Sequence, residues 1–233
     1  MLDVPAHRAR EHDALDIAAD GSEIFRAVRV IDALHVLLDD RAFVEFGRHV
    51  VRGRADQLHA EIAAVVSNHP DFAELCLSHG VPFHHLALPT GATADAKRAQ
   101  EREIERLVAS RQIDLVVLAR YMQILSGEFC AFLTGRAINI HHSFLPSFKG
   151  ARPYFQAHAR GVKLIGATAH YVSAELDEGP IIEQDVARVD HALDPEDFSA
   201  VGRDVESVVL ARAVRWHVEH RVLMNGHKTV VFK

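Results

Sequence analysis

The chain has 233 residues, 26 basic against 32 acidic, for a net charge of -6. Hydrophobic residues make up 48% and charged residues 25%, a balance that excludes collagen-like, low-complexity and wholly disordered chains. The acidic excess gives no electrostatic reason to bind nucleic acid. No apolar run approaches the ~20 residues of a membrane helix, and the N-terminus lacks the apolar stretch of a secretory signal.

The first 57 residues contain no Lys, Thr, Asn, Tyr or Cys. Within them Ala33–Leu38 reads as a first buried strand and Phe43–Arg54 as a helix. Residues 1–32 form an atypical segment of scattered apolar residues among charges, expected to be poorly ordered. Residues 33–233 are then expected to form one domain.

From Leu58 the pattern is regular. Glu61–Ser67 is a buried strand, followed by the loop Ser67-Asn68-His69-Pro70-Asp71 and a short helix to about Ser78. Phe83–Leu88 is a second strand. Ala94–Ser110 is a helix with Ile104, Leu107 and Val108 on its apolar face and Lys97, Arg98, Glu101, Arg102 and Glu105 on a solvated one. Asp114–Leu118 is a third strand, and Ser126 caps a helix running to Leu133. Ala137–Ile140 is the next strand.

Such alternation predicts βαβ units around a parallel sheet. Leu164–Val172 and Pro180–Val189 follow with no helix between them, as an appended antiparallel pair. Asp194-Pro195 opens a long helix whose buried side is traced by Phe198, Val201, Val205, Val208, Val209 and Trp216. Asn225-Gly226 marks a terminal hairpin. The expected fold is α/β, a Rossmann-like, mostly parallel sheet with an appended antiparallel strand pair.

Seventeen histidines invite a metal reading, but their spacing opposes it. There is no HExxH, and the adjacent pairs His84-His85 and His141-His142 would point to opposite faces of a strand. No metal is expected. The two cysteines, Cys76 and Cys130, lie far apart and form no CxxC pair, which suits a reducing cytoplasm. Neither phosphate-cradling glycine motif is present, so no nucleotide cofactor is expected.

Ligands of an open α/β sheet sit beyond the carboxyl ends of its strands, and two polar clusters fall there. One is Asn139-Ile140-His141-His142-Ser143, with Asn139 and His141 on one side by alternation. The other is Glu175-Leu176-Asp177-Glu178-Gly179-Pro180, where Gly179 and Pro180 force a turn able to hold a carboxylate. An amide, an imidazole and a carboxylate suit attack of water on a carbonyl. Asn139 would donate to the oxyanion, His141 would polarise and move protons, and Asp177 would order or deprotonate the water. The same residues also fit a turn-forming Asn, a core His and a loop-capping Asp.

Four motifs narrow the choice: Ile138-Asn-Ile-His-His-Ser-Phe-Leu-Pro146, Lys149-Gly-Ala-Arg-Pro-Tyr154, Gly166-Ala-Thr-Ala-His170 and Glu175-Leu-Asp-Glu-Gly-Pro-Ile-Ile182. In this order they resemble the formyltransferase-fold family that handles 10-formyltetrahydrofolate. The His141-His142-Ser143 form, with Ser67–Asp71 and Val201-Gly-Arg-Asp-Val-Glu206, is similar to its hydrolytic branch, the deformylases. The resemblance covers about Leu58–Phe232.

It implies hydrolysis of 10-formyltetrahydrofolate to tetrahydrofolate and formate, with Asn139, His141 and Asp177 as the catalytic trio. Arg120–Ser126 matches the folate-lining segment. Met122 and Leu125 would pack on the pterin, and the backbone of Gln123 and Leu125 would read its edge. His170 and His142 would stand beside the site.

The resemblance also implies no cofactor, since folate is the substrate, and no partner beyond that small molecule and further copies in a homo-oligomer. Such deformylases carry an ACT-like regulatory domain before the catalytic one, and residues 1–32 show no ACT pattern. The alternatives are a formyltransferase using the same trio on an amine acceptor, and a folate-binding remnant without turnover.

Overall fold

The computed structural model describes residues 28–32, 60, 62–89, 91–119, 121, 123–146 and 152–233. Nine strands and five helices lie among them. The strands are β1 (Val28–Asp32), β2 (Ile62–Ser67), β3 (Phe83–His85), β4 (Leu115–Ala119), β5 (Ala137–His141), β6 (Leu164–Tyr171), β7 (Ile181–Arg188), β8 (Val222–Asn225) and β9 (Lys228–Val231). The helices are α1 (Ala73–Ser78), α2 (Ala94–Ser110), α3 (Gly127–Leu133), α4 (Pro153–Ala159) and α5 (Pro195–Val218). None is long and apolar enough to cross a membrane.

Seven strands form one sheet in the order β3-β2-β1-β4-β5-β6-β7. The first five are mutually parallel, and β6 runs antiparallel to both β5 and β7. β8 and β9 form a separate hairpin. The α/β class and the appended antiparallel pair are as the sequence predicts.

The apolar run of β4 has no alternation because both its faces are covered. Leu115, Val117 and Ala119 pack towards α5, with Ile138, Ile140, Ala167, Ala169, Val209 and Ala213. Val116 and Leu118 pack on the other side, against Ile104, Val108, Phe129 and Leu133 of α2 and α3. Thr93 caps α2 by accepting from the Ala96 N–H, and Ser126 caps α3 by accepting from that of Phe129. Asp194 and Asp197 form a reciprocal capping box on α5, with Pro195 in the first turn.

Three expectations need correction, and one helix was not foreseen. Ala33–Leu38 and Phe43–Arg54 lie outside the described residues, and the strand between β2 and β4 is instead Val28–Asp32. Its Val-Arg-Val-Ile-Asp sequence carries three β-branched residues, and it places the start of the sheet before residue 33. Glu101 is not on a solvated face: it is 6% exposed and accepts the Ser126 N–H at 2.8 Å.

The fully buried stripe of α5 keeps only Phe198 and Val209 of the predicted row. It runs through Phe198, Gly202, Glu206, Val209, Leu210, Ala213 and Val214, while Val201, Val205, Val208 and Trp216 are half-buried. Helix α4 was not expected at all. It starts at Pro153 from Arg152, which has φ 51° and makes no side-chain cap, so the capping side chain is missing and Pro153 alone marks the helix start.

Val30 pairs with Val65 of β2 and Val117 of β4, so a proline there removes a ladder N–H from a central strand. Val30→Pro is expected to cost about 1–3 kcal/mol, lowering the melting temperature by roughly 2–12 °C for a chain of this size. Calorimetry on the purified variant checks this. An unchanged melting point would mean that β1 does not hold that place.

Candidate active site

The site forms where the parallel part of the sheet meets its first antiparallel strand. Opposed residues of an antiparallel pair share a face. Asn139 lies opposite His170 and His141 opposite Thr168, so these four share a face by alternation. Ile138, Ile140, Ala167 and Ala169 belong to the core on the α5 side. The polar residues therefore point away from α5.

Asp177 reaches them from the loop between β6 and β7. Its backbone is left-handed, φ 57°, a conformation that Asp tolerates better than most residues. Gly179 then lies so close to the end of β6 that a Cβ would stand 1.7 Å from the Tyr171 carbonyl oxygen and 3.1 Å from His170 Nδ1. The Tyr171 N–H donates to the Pro180 carbonyl at 2.9 Å and closes the turn. The expectation that Gly179 and Pro180 fold a turn holding a carboxylate has its physical basis here.

The Asp177 carboxylate lies 3.2 Å from His141 Nδ1 and 3.8 Å from His170 Nε2. His170 Nδ1 lies 2.9 Å from the Tyr171 carbonyl oxygen, which can only accept. Nδ1 therefore carries the hydrogen. In the neutral ring Nε2 then accepts from Asn139 Nδ2, at 3.2 Å, which sets the orientation of that amide. Burial favours this neutral form and holds the His170 pKa below its ordinary value, against the Tyr171 hydrogen bond and the Asp177 charge. For Asp177, burial opposes ionisation. The hydrogen bond from His141 and the charges of His141, His170 and His142 outweigh it, so the carboxyl titrates below its usual range.

His141 is buried, and its Nε2 has no hydrogen-bond partner among the described residues. His142 does not point away from it, as strand alternation would require. The strand ends at His141, and the two rings stack with centroids 5.2 Å apart and planes at 15°.

An apolar cleft opens beside Asn139, His170 and Asp177, and Tyr121, Gln123, Ile124, Leu125, Val172 and Leu176 line it. Gln123 and Leu125 are thus brought to the site. Met122 lies outside the described residues, and His142 stands at the far side of His141. His170 is 3% exposed, not a surface histidine. No group of three or more His, Cys, Asp and Glu among the described residues is arranged to hold a metal ion.

Sequence reasoning missed Thr168. Its hydroxyl donates to the Ser143 carbonyl at 2.9 Å and accepts from Leu145 N–H at 3.0 Å and Gln184 Nε2 at 2.9 Å. All three hydrogen-bonding positions of a hydroxyl are used, tying the loop after His141 to β6 and β7. The signal was a lone polar residue between two alanines, two positions before His170.

Comparison with known proteins follows from this geometry. The formyl transferase family model matches residues 37–214. A formyltetrahydrofolate deformylase of Corynebacterium sp. (strain P-1) is 52% identical over 182 residues, which are 78% of this chain and 62% of that relative. The chain thus spans about three fifths of that curated relative. The crystal structure of a formyltetrahydrofolate deformylase from Burkholderia mallei superposes with TM-score 0.78 at 52% identity, covering 89% of this chain and 70% of that one. A glycinamide ribonucleotide transformylase from Symbiobacterium toebii superposes with TM-score 0.76 at 26% identity, covering 89% and 95%.

Two outcomes follow from the site. Gly179→Ala drives a methyl group into the Tyr171 carbonyl, and the loop must move. We expect about 1–3 kcal/mol of destabilisation and loss of the low-field proton resonance of His141 Nδ1–H against Asp177. A variant keeping both the resonance and the melting point would show that the close approach is dispensable.

The second concerns acid. Burial, with the nearby His220 charge, lowers the His217 pKa to about 4, and its Nδ1 lies 2.7 Å from the Tyr171 hydroxyl, which donates to the neutral ring. His217 and His170 thus bind protons in the unfolded chain, near pH 6.5, before they do in the folded one. Stability is therefore complete above about pH 6.5 and falls as the pH drops towards 4, by up to about 1.4 kcal/mol per unit for each ring. Melting followed from pH 7 to 4 should show this decline, and His217→Asn should make it shallower. A flat profile would contradict it.

Proposed function

The chain belongs to the formyl transferase family, in its formyltetrahydrofolate deformylase branch, and we propose that it hydrolyses 10-formyltetrahydrofolate to tetrahydrofolate and formate. The observation that carries the proposal is the meeting of His141 with Asp177 and Asn139, the latter two lining an apolar cleft, with His141 Nε2 unpartnered among the described residues.

The folate packs its pterin against Leu125 and its neighbours, and the backbone of Gln123 and Leu125 bonds the ring edge. The formyl group then stands beside Asn139. Asn139 Nδ2 has two hydrogens: one goes to His170, and the other meets the formyl oxygen as negative charge develops on it. Asp177 accepts from His141 Nδ1–H, so in the neutral ring Nε2 carries the lone pair and takes a proton from the attacking water.

The water oxygen bonds to the formyl carbon, and the carbonyl pair moves onto oxygen. The imidazolium faces that oxyanion and then gives its proton to N10 as the oxyanion pair re-forms the carbonyl and the C–N bond breaks, releasing formic acid, which loses its proton to solvent as formate. Asp177 stabilises the imidazolium and holds the ring in its working tautomer. Water is the nucleophile and folate the substrate, so the chemistry requires no cofactor. The free, buried thiols Cys76 and Cys130 suit a cytoplasmic setting.

The likeness to a glycinamide ribonucleotide transformylase supports one other reading, transfer of the formyl group to an amine. Incubation of the purified protein with 10-formyltetrahydrofolate and no acceptor separates the two. Hydrolysis releases formate in step with tetrahydrofolate, whereas a transferase stays idle until an amine is added.

Asp177→Asn is expected to lower formate release by ~10²–10⁴-fold while binding of a folate analogue survives. A variant retaining more than about a tenth of the turnover would remove Asp177 from the mechanism.

A further inference from the structure

Helix α5 carries two residues that a buried helix face ordinarily avoids. Gly202 lies in the helix interior, where glycine is unfavourable, and Glu206 is a carboxylate only 6% exposed. They are four residues apart and so share a face. One side chain accounts for both. A Cβ on Gly202 would stand 2.1–2.5 Å from the Cζ, Cε2 and Cε1 atoms of Tyr154, so the phenol ring lies in the notch that the glycine leaves. One turn further on, Glu206 Oε1 accepts the Tyr154 hydroxyl hydrogen at 2.8 Å. The helix thus presents a fitted seat for a single tyrosine, itself 6% exposed.

Tyr154 also faces the site. Its ring centroid lies 6.2 Å from that of His142 at an interplanar angle of 50°. His142 stacks on His141, and His141 Nδ1 meets Asp177. A continuous row of packed groups runs from α5 through Tyr154 and His142 to the imidazole that moves the proton. His142 also contributes to the electrostatic environment of Asp177.

We infer that Tyr154, seated by Gly202 and Glu206, is a positioning residue that holds His142 against His141 and so fixes where His141 Nε2 points. This rests on the hydrolytic reading of the site. The hydroxyl contact fixes the tyrosine along α5, and the ring passes that constraint to His142. Displacement of a reacting group by an ångström is enough to cost up to about a hundredfold in rate, and a partial release costs less.

The test is a mutant cycle on kcat and KM, measured by formate release from the full chain. Tyr154→Phe and Glu206→Ala should each lower kcat on the order of tenfold with KM within about twofold. Glu206→Gln, whose amide oxygen can still accept the hydroxyl, should recover most of that loss. The decisive arm is Tyr154→Phe placed on His142→Ala: if Tyr154 acts through His142, the second change lowers kcat no further.

A purely structural tyrosine would lower kcat by the same factor in both backgrounds, and that result overturns the inference. So does a Tyr154→Phe variant whose only change is its melting point. Absence of formate release from the wild type would sink the hydrolytic reading alone. The positioning claim is then decided by the ring resonances of His142 in histidine-labelled protein. They should move in Tyr154→Phe and in Glu206→Ala and stay near their wild-type positions in Glu206→Gln, and resonances that stay fixed in the first two overturn it.

Discussion

Everything at the site depends on how closely the chain after Asp177 can approach the end of β6. Gly179 lies against the Tyr171 carbonyl at a distance that admits no side chain, and only there does the loop bring one carboxylate to both histidines. A left-handed non-glycine residue costs about 1–3 kcal/mol. The hydrogen bond from Tyr171 N–H to Pro180 and the one from His141 to Asp177 offset that cost. The first, between neutral backbone groups, contributes about 0.5–1.5 kcal/mol and the second, to a charged group, about 1.5–3 kcal/mol, so the two sides are of similar size and the turn persists. The Tyr171 carbonyl also accepts from His170 Nδ1, and one residue's backbone therefore fixes both the loop and a ring tautomer.

The change of strand direction matters as much. Between parallel strands the next element would be a helix crossing over the sheet. β6 returns directly beside β5 instead, and antiparallel register sets His170 opposite Asn139 and Thr168 opposite His141. Polar side chains are in this way collected in pairs on one face of an otherwise apolar sheet. The opposite face stays free for α5 to bury Ile138, Ile140, Ala167 and Ala169.

Much of this was legible in the residues, and for physical reasons. β4 and the stretch around Val65 read as strands because sheets covered on both sides demand continuous apolar runs. Alternation of Asn139 and His141 and the turn forced by Gly179-Pro180 singled out two polar clusters, and the resemblance of the four motifs is what joined Asn139, His141 and Asp177 into a trio. What escaped notice lies where burial contradicts hydropathy. Glu101, Gly202 and Glu206 are buried but carry no apolar signal, and each is explained only by a partner distant in sequence: Ser126 for the first and Tyr154 for the other two. The stacking of His142 on His141 escaped because alternation holds only while the strand lasts. Helix α4 escaped because its entry residue, Arg152, offers no capping side chain.

The same fold supports a transformylase at 26% identity, so hydrolysis or transfer must be decided by groups around the trio rather than by the trio's scaffold. Two orientations within the cluster are set by folding itself. His170, kept neutral by burial, can only accept from Asn139, and this turns the remaining amide hydrogen outward. Asp177, kept ionised by its histidines, accepts from His141 Nδ1, and this leaves the Nε2 lone pair without a partner among the described residues. Both orientations exist before any ligand enters. Donors already aimed at a developing charge need no reorganisation when it forms, the condition under which electrostatic stabilisation is largest. A small nucleophile such as water suits a site of this kind, because the positioning resides in the protein and little of it has to come from the nucleophile's own binding.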